Sequence, residues 1–362
     1  MSADPLVVVT QPYVPAYRVP LFESIRGRLK DRGIRFVVAA GHPIGAQAAR
    51  GDRESPPWRV DIRSRGVRLG ARTVEWRALP SDLKPDVVVS ELEALNNLAW
   101  TRSFGRRKLV LWGHGRPYVN DAGALSDRIE WALARRADAV MTYADGGRKY
   151  LVESGKLDPE RVVTIGNSTD SASLRAAYNA VDAVEKERLL HRWPRAPRAL
   201  FVGGLDAAKR IDFLVDAAIA ARQREPRFTL LVVGMGEMQD ALSRAGDAVE
   251  HIPSARGAEL ARLGHVVQAM WMPGRIGLVA VDSLALGLPV FTTSYRYHAP
   301  EAEFLRAGER VTLPDDPQAF AERALRLMAE GSIANRVLRS DIPTIESVSQ
   351  NFADVVMNVL DR

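Results

Sequence analysis

Ten residues, Phe201-Val202-Gly203-Gly204-Leu205-Asp206-Ala207-Ala208-Lys209-Arg210, join an apolar run to two glycines and two adjacent cations. A strand that turns through glycines into a helix start can bring its backbone N–H groups against a phosphate. Lys209 and Arg210 would then neutralise the charge, which is what binding a diphosphate requires. No Gly-Lys-Ser/Thr follows, so this is not a Walker loop. A tight turn with two surface cations is the other reading of the same residues. A second turn, Gly234-Met235-Gly236, follows the apolar run 229–233 and is weaker, because a plain strand-to-helix turn explains it. The third cluster is richer. Pro273-Gly274-Arg275-Ile276-Gly277-Leu278 leads into an apolar helical run containing Asp282, which closes in Gly287-Leu288-Pro289. Three such loops at the carboxyl ends of parallel strands would form a nucleotide crevice.

The elements that must carry these loops follow from the hydrophobic pattern. Residues 6–10, 35–39, 86–90, 108–112, 139–142 and 162–165 are short, continuous apolar runs, the signature of strands buried on both faces. Helical segments lie between them: residues 20–30 place Leu21, Phe22, Ile25 and Leu29 on one face, and residues 126–136 open on Ser126, a good N-cap. The charged stretch 180–198, ending Trp193-Pro194-Arg195-Ala196-Pro197, reads as a helix and linker. The alternation then restarts, with strands at 198–202, 229–233, 269–272 and 289–292 and helices at 212–224, 238–245 and 278–286. Residues 347–360 repeat Val348, Phe352, Val355, Val356 and Val359 at helical spacing and could pack across a domain junction. Strand–helix alternation of this kind calls for parallel sheets covered on both faces.

Composition narrows the chemistry. The 362 residues, 46% hydrophobic and 26% charged, suffice for two domains, each with its own core. With no cysteine there is no disulfide, thiol nucleophile or zinc–thiolate site, and six scattered histidines offer no close pair at metal-ligand spacing. No apolar run approaches the ~20 residues that span a bilayer, and no signal peptide is visible, so a soluble protein of the cytoplasm is expected. Residues 1–175 hold 28 Lys and Arg against 20 Asp and Glu, whereas the remainder is nearly balanced. Only 7 of the 50 basic residues are lysine, so codon bias on a solvated surface explains the excess as well as an anionic partner does. No basic-aromatic platform accompanies the charge, which argues against nucleic acid.

At this point the chain resembles, over nearly its whole length, the retaining GT-B glycosyltransferases of family 4. Residues 158–170, Asp-Pro-Glu-Arg-Val-Val-Thr-Ile-Gly-Asn-Ser-Thr-Asp, are similar to that family's segment before its interdomain hinge. Residues 203–212 resemble its donor-phosphate loop, and Gly277-Leu278-Val279 through Gly287-Leu288-Pro289-Val290 its donor-sugar helix. Order and spacing carry the likeness, rather than any one motif. Lys209 stands where the family has lysine, but Gly204 replaces an arginine. Gly274 and Asp282 stand where it places two glutamates. Tyr297-His298-Ala299-Pro300-Glu301 resembles a His-x-Pro-Glu element of some branches, which makes Glu301 the candidate for the missing carboxylate and Arg275 for the missing cation.

The resemblance implies an α/β fold of two doubly wound, Rossmann-like domains facing a cleft. An acceptor-binding domain would take residues 1–178, a linker 179–198, a nucleotide-sugar-binding domain 199–346, and a terminal helix 347–362 would cross the junction. It implies transfer of a hexose, with retention, from a nucleoside-diphosphate sugar to an acceptor hydroxyl of a glycan, glycolipid or natural product. No cofactor or metal would be needed. The donor would meet Gly203, Gly204, Lys209, Arg210, Gly234, Arg275, Ile276, Gly277, Leu278, Asp282 and Glu301. The loop Gln11-Pro12-Tyr13-Val14-Pro15-Ala16-Tyr17-Arg18 corresponds to one that lines the family's acceptor site. Its tyrosines and prolines make it stiff and aromatic, suited to a sugar face, though a structural turn ahead of a helix beginning at Pro20 explains it equally. His114, between Gly113 and Gly115 after a buried strand, resembles the family's cleft histidine and would orient a sugar hydroxyl, with Lys209 and Glu301 completing the catalytic set. Glu91 and Glu93 follow another strand and have less support. The basic first half and the cations of residues 20–30 would suit docking on an anionic membrane to reach a lipid-linked acceptor. A nucleotide-sugar epimerase or hydrolase on the same fold, or a non-catalytic nucleotide-sugar-binding partner protein, are the alternatives.

Overall fold

A computed structural model of the chain describes residues 4–43, 53–69, 72–105, 107–118, 123–194, 196–330 and 339–362. Its described residues divide into two compact units: those up to 168 together with 345–362 form one, and those from 169 to 344 the other.

The first unit holds a seven-stranded parallel sheet made of β1 (Leu6–Gln11), β2 (Arg35–Ala40), β3 (Arg59–Asp61), β6 (Val87–Glu91), β7 (Lys108–Gly113), β8 (Ala139–Thr142) and β9 (Val162–Thr164), in the order β3-β2-β1-β6-β7-β8-β9. β4 (Arg63–Leu69) and β5 (Arg72–Ala78) form a separate antiparallel pair inserted between β3 and β6. The continuous apolar runs are indeed the central strands: Val7, Val8, Val9, Val87, Val88 and Val89 are all fully buried. Helices α1 (Val19–Lys30), α2 (Asn97–Ser103), α3 (Ala124–Ala134) and α4 (Asp145–Glu153) complete the first run. Ser126 falls inside α3, whose N-cap is Gly123. The 3.6-residue pattern locates a helix face but leaves its first turn open, which is why the expected start is late.

The second unit holds α5 (Ser171–Asn179), α6 (Ala183–Arg192), α7 (Ile211–Arg224), α8 (Ala258–Val266), α9 (Val279–Leu286) and α10 (Pro317–Ala329) around a six-stranded parallel sheet. Its strands are β10 (Arg198–Val202), β11 (Thr229–Val233), β12 (Val249–Ile252), β13 (Ala269–Trp271), β14 (Val290–Thr292) and β15 (Arg310–Thr312), in the order β12-β11-β10-β13-β14-β15. The expected helix 238–245 is instead a stretch of 3-10 turns over Gln239–Ala248, broken at Gly246, where φ is 49°. Trp271 stacks on Phe228 at 5.0 Å and meets Phe320 edge-on at 5.2 Å in the core.

The segment read as linker is part of this unit. Leu189 of α6 and Trp193 are buried in its core, and the Trp193 indole donates to Glu250 at 2.8 Å; Arg195 lies outside the described residues. α5 also belongs here: Leu174 joins the core, and Arg175 donates to the carbonyls of Leu284 and Ala285 at the end of α9, where a cation meets the negative pole of a helix. The terminal helix α11 (Ile345–Leu360) belongs to the first unit. Phe352 is fully buried there, 5.5 Å from Trp112 and 6.4 Å from Phe36, and burying such a ring is worth ~1.5–3 kcal/mol. Arg28 of α1 donates to Ser349 and Gln350 of α11, so one cation of the expected basic face is committed inward while Arg26 and Lys30 are exposed.

Candidate functional site

In the second unit β10 pairs with β11 on one side and β13 on the other, so strand order reverses there. The loops leaving β10 and β13 flank this switch point, where an open α/β sheet receives ligands. The β10 loop turns at Gly203 (φ +155°) and ends in a 3-10 turn capped by Asp206, whose carboxylate accepts from the Lys209 N–H at 3.2 Å. A Cβ on Gly203 would lie 3.5 Å from Lys209 Cε, so the lysine folds back over the glycine. Its ammonium donates to the Arg275 carbonyl at 2.6 Å and so bridges the two loops. Arg275 in turn donates through Nε to the Tyr297 carbonyl at 3.3 Å.

Arg210, expected as the second phosphate cation, is held by partners within the unit. It caps α7 in the left-handed conformation (φ 56°, ψ 51°) and donates to Thr293 at 2.9 Å and Asp315 at 2.5 Å. The other glycines have packing duties. A Cβ on Gly234 would stand 1.9 Å from the Gly203 carbonyl oxygen, and one on Gly274 2.4 Å from that of Ala208. Gly274 therefore occupies a place where the β10 loop leaves no room for the glutamate of the resembling family. Gly204, Gly277 and Leu278 lie partly exposed on these loops, Gly277 and Leu278 just before α9.

His298 locks the β14 loop to the β13 loop. Its Nδ1 accepts from the Ile276 N–H at 3.1 Å, while the Ala299 N–H donates to the Ile276 carbonyl at 2.8 Å. Both backbone groups of Ile276 are thus engaged and its side chain is fully buried. Burial first, then the charges of Arg310, Lys209 and Arg275, push the His298 imidazole down to about 4. The neutral ring, with Nδ1 accepting, carries its proton on Nε2, which is buried and has no hydrogen-bond partner among the described residues. A buried donor left open among three cations calls for an oxygen-rich ligand. Glu301, 4% exposed, follows in the turn Pro300–Phe304. Asp282, in the first turn of α9, accepts from the Thr169 hydroxyl at 2.7 Å; burial outweighs that bond and raises its carboxyl to about 6.

In the first unit β1 pairs with β2 and β6, a second switch point. Arg18, in the loop after β1, is 7% exposed; its Nη2 donates to the Tyr143 hydroxyl at 2.9 Å and its Nε to that of Tyr17 at 3.4 Å. The guanidinium lies 4.6 Å from the Trp112 ring centroid. His114 follows Trp112 and meets the ring of Tyr143 edge-on at 5.6 Å and that of Tyr118 at 6.0 Å. The His114 turn requires glycines: Gly115 has φ +78°, and a Cβ on Gly147 would strike the His114 carbonyl oxygen. Tyr17 is exposed at 37%, whereas Tyr13 is buried. Glu91 is taken up by Arg77 at 2.7 Å and by the Thr10 hydroxyl at 2.9 Å, a structural network rather than an open carboxylate.

Sequence reasoning passed over His298 as a site residue in its own right, although its motif was visible, and over Thr169 and Arg310, which sequence separation hides. A cavity lined by Lys186, Leu189, Arg198, His265 and Gln268 opens at the amino ends of β10 and β13, the edge opposite the glycine loops. Among the described residues, no three His, Asp or Glu side chains converge as metal ligands. Nor is any described helix long and apolar enough to cross a membrane.

Comparison with known proteins adds family to this geometry. Residues 22–173 match the family described as Glycosyltransferase Family 4, and residues 196–330 that described as Glycosyl transferases group 1. A D-inositol 3-phosphate glycosyltransferase of Jonesia denitrificans is 28% identical over 181 residues, 45% of this chain and 42% of that protein. The chain thus matches less than half the length of that curated relative. Among solved structures, a glycosyltransferase from Rickettsia africae superposes with a TM-score of 0.68 at 10% identity, covering 100% of both chains. Anabaena HepE in complex with UDP and glucose gives 0.61 at 14% identity, covering 98% of this chain and 100% of that one. Both likenesses establish the fold: two Rossmann-like parallel sheets in the GT-B arrangement of chain order.

Proposed function

We propose that this chain, whose two domains belong with the GT-B glycosyltransferases, moves a hexose, with retention, from a nucleoside-diphosphate sugar to an acceptor hydroxyl. The observation that carries the reading is the Lys209 ammonium folded over Gly203 and tied to the Arg275 carbonyl at the second unit's switch point. The leaving group is a diphosphate, so the chief catalytic demand is to neutralise the charge that builds on it as the glycosidic bond breaks. Lys209 and Arg275 do this from fixed positions, where preorganised charge needs no rearrangement during reaction. The start of α9 adds the positive end of a helix. His298 stays neutral near pH 7 and offers its Nε2–H to a donor oxygen. Asp282 and Glu301 hold sugar hydroxyls.

With this set the acceptor attacks from the face the diphosphate leaves, and a leaving-group oxygen takes the acceptor's proton, so no protein nucleophile and no metal enters the scheme. His114, in the first unit, orients a sugar hydroxyl. The acceptor is a glycan, glycolipid or natural product. The surplus of cations in the first half suits a lipid-linked one at an anionic membrane face of the cytoplasm.

The test is product formation from a panel of nucleotide sugars and acceptors, read by mass spectrometry. Wild type is expected to transfer sugar, and Lys209→Ala to lose about 100- to 1,000-fold in kcat. Nucleoside diphosphate released without an acceptor would favour an epimerase or hydrolase. Donor binding with no product across the panel would favour a non-catalytic binding partner. Near-normal turnover in Lys209→Ala would remove that residue from the scheme.

A further inference from the structure

We propose that the first unit carries an oxyanion-binding site centred on Arg18, so that the acceptor bears a carboxylate or phosphate beside its sugar ring. Calling the ligand an acceptor rests on the transferase reading; the anion site itself rests on Arg18. Its side chain is 93% removed from solvent, and its Nη1 is buried with no hydrogen-bond partner among the described residues. The groups it does touch are neutral: the phenols of Tyr143 and Tyr17 and the face of Trp112. No carboxylate stands within ion-pair distance of it among the described residues. Arg77, equally buried in the same unit, shows the usual solution, a 2.7 Å pair with Glu91.

A buried charge without a counter-charge is costly, and arginine cannot escape by shedding its proton as lysine or histidine does. Burial works against the charge, but the phenols of Tyr143 and Tyr17 favour it and the net shift is upward, so the guanidinium remains a full cation inside the protein. The planar fork of donors matches a carboxylate or phosphate, which accepts from two N–H groups at once. The place is right for a ligand: Arg18 follows β1, Trp112 lies near the end of β7 and Tyr143 follows β8, all at the carboxyl edge of the sheet. Tyr17, 37% exposed, and His114, beside Tyr143, supply an aromatic wall and a polar ring on which a sugar can sit. An uncharged sugar would leave the Nη1 donor and its charge unanswered, whereas an acidic sugar or a sugar phosphate satisfies both.

The experiment is calorimetric titration of the full chain, with UDP present, using glucuronate, glucose 6-phosphate and glucose as probes. Wild type is expected to bind at least one anionic probe tenfold or more tightly than glucose. The stronger of glucuronate and glucose 6-phosphate tells an acidic sugar from a phosphorylated one. Arg18→Gln should lose that preference, by about 10- to 100-fold in affinity. Arg18→Lys, which keeps the charge but not the fork, should recover part of it. UDP titration of each variant is the internal control for folding and for the second unit's site. Equal binding of all three probes by wild type, or an undiminished anionic preference in Arg18→Gln, overturns the proposal. Failure of UDP itself to bind wild type, with the anionic preference intact, would count against a uridine-nucleotide donor while supporting the oxyanion site.

Discussion

Asp282 and His298 both depart from ordinary titration, in opposite directions and with burial as the first cause. For Asp282 the folded carboxyl titrates near 6 against an ordinary value of 3.8, so between those two pH values the folded chain holds a proton that the unfolded chain has released. Stability from that proton is complete below about 3.8 and is lost as pH rises through about 6. Asp282→Asn keeps an oxygen for the Thr169 hydroxyl and removes the titration. Its melting temperature, relative to wild type, is expected to rise as pH goes from 4 to 7; a constant difference across that range would contradict the burial of this carboxylate. That Lys209 sits beside the glycine turn could be read from sequence because strand, glycines and cation are contiguous. Arg210, next to it, could not be told apart. Its left-handed backbone and its partners Thr293 and Asp315 are tertiary facts, and they decide that it caps α7 and pairs with Asp315. The surroundings of His298 were hidden for a similar reason, since Arg310, Lys209 and Arg275 come from three separate elements.

Among the elements, the loops differ from the strands in how far their residues announce themselves. Continuous apolar runs identified the buried parallel strands, because a strand covered on both faces has no polar side to interrupt it. The β4–β5 pair lacks such a run and went unread. Gly234, one of the expected donor contacts, and Gly274, which stands where the resembling family has a glutamate, are places where two loops touch backbone to backbone. Sequence cannot separate a glycine that admits a phosphate from one that admits a neighbouring carbonyl. Gly274→Ala puts a Cβ 2.4 Å from the Ala208 oxygen, tighter than real contacts allow, and is expected to cost ~1–3 kcal/mol. Gly27→Ala is the control. It sits in the interior of α1 with nothing within 4 Å of the new methyl and should be neutral or stabilise by ~0.5–1 kcal/mol. Denaturant midpoints of the two variants decide it; equal effects would mean that the β10 and β13 loops do not meet as described.

At the scale of the whole molecule, the restart of strand–helix alternation after residue 198 revealed two sheets in series, and both were found with the expected strand direction. What the linear pattern could not give was where one unit ends. The charged, proline-rich stretch reads as a linker, yet Leu189 and Trp193 bury themselves in the second core, and the chain changes units at 168 and returns at 345. Long-range packing, rather than local composition, sets those boundaries. The central claim is that the second unit's switch point binds a nucleoside diphosphate. Its most direct test is a thermal-shift panel of nucleoside diphosphates and nucleotide sugars on wild type and Lys209→Ala. A diphosphate at ~100 times its dissociation constant should add about 2.7 kcal/mol to wild type, raising its melting temperature clearly, and should do little to the variant. No response to any nucleotide, or an equal response in Lys209→Ala, would contradict it.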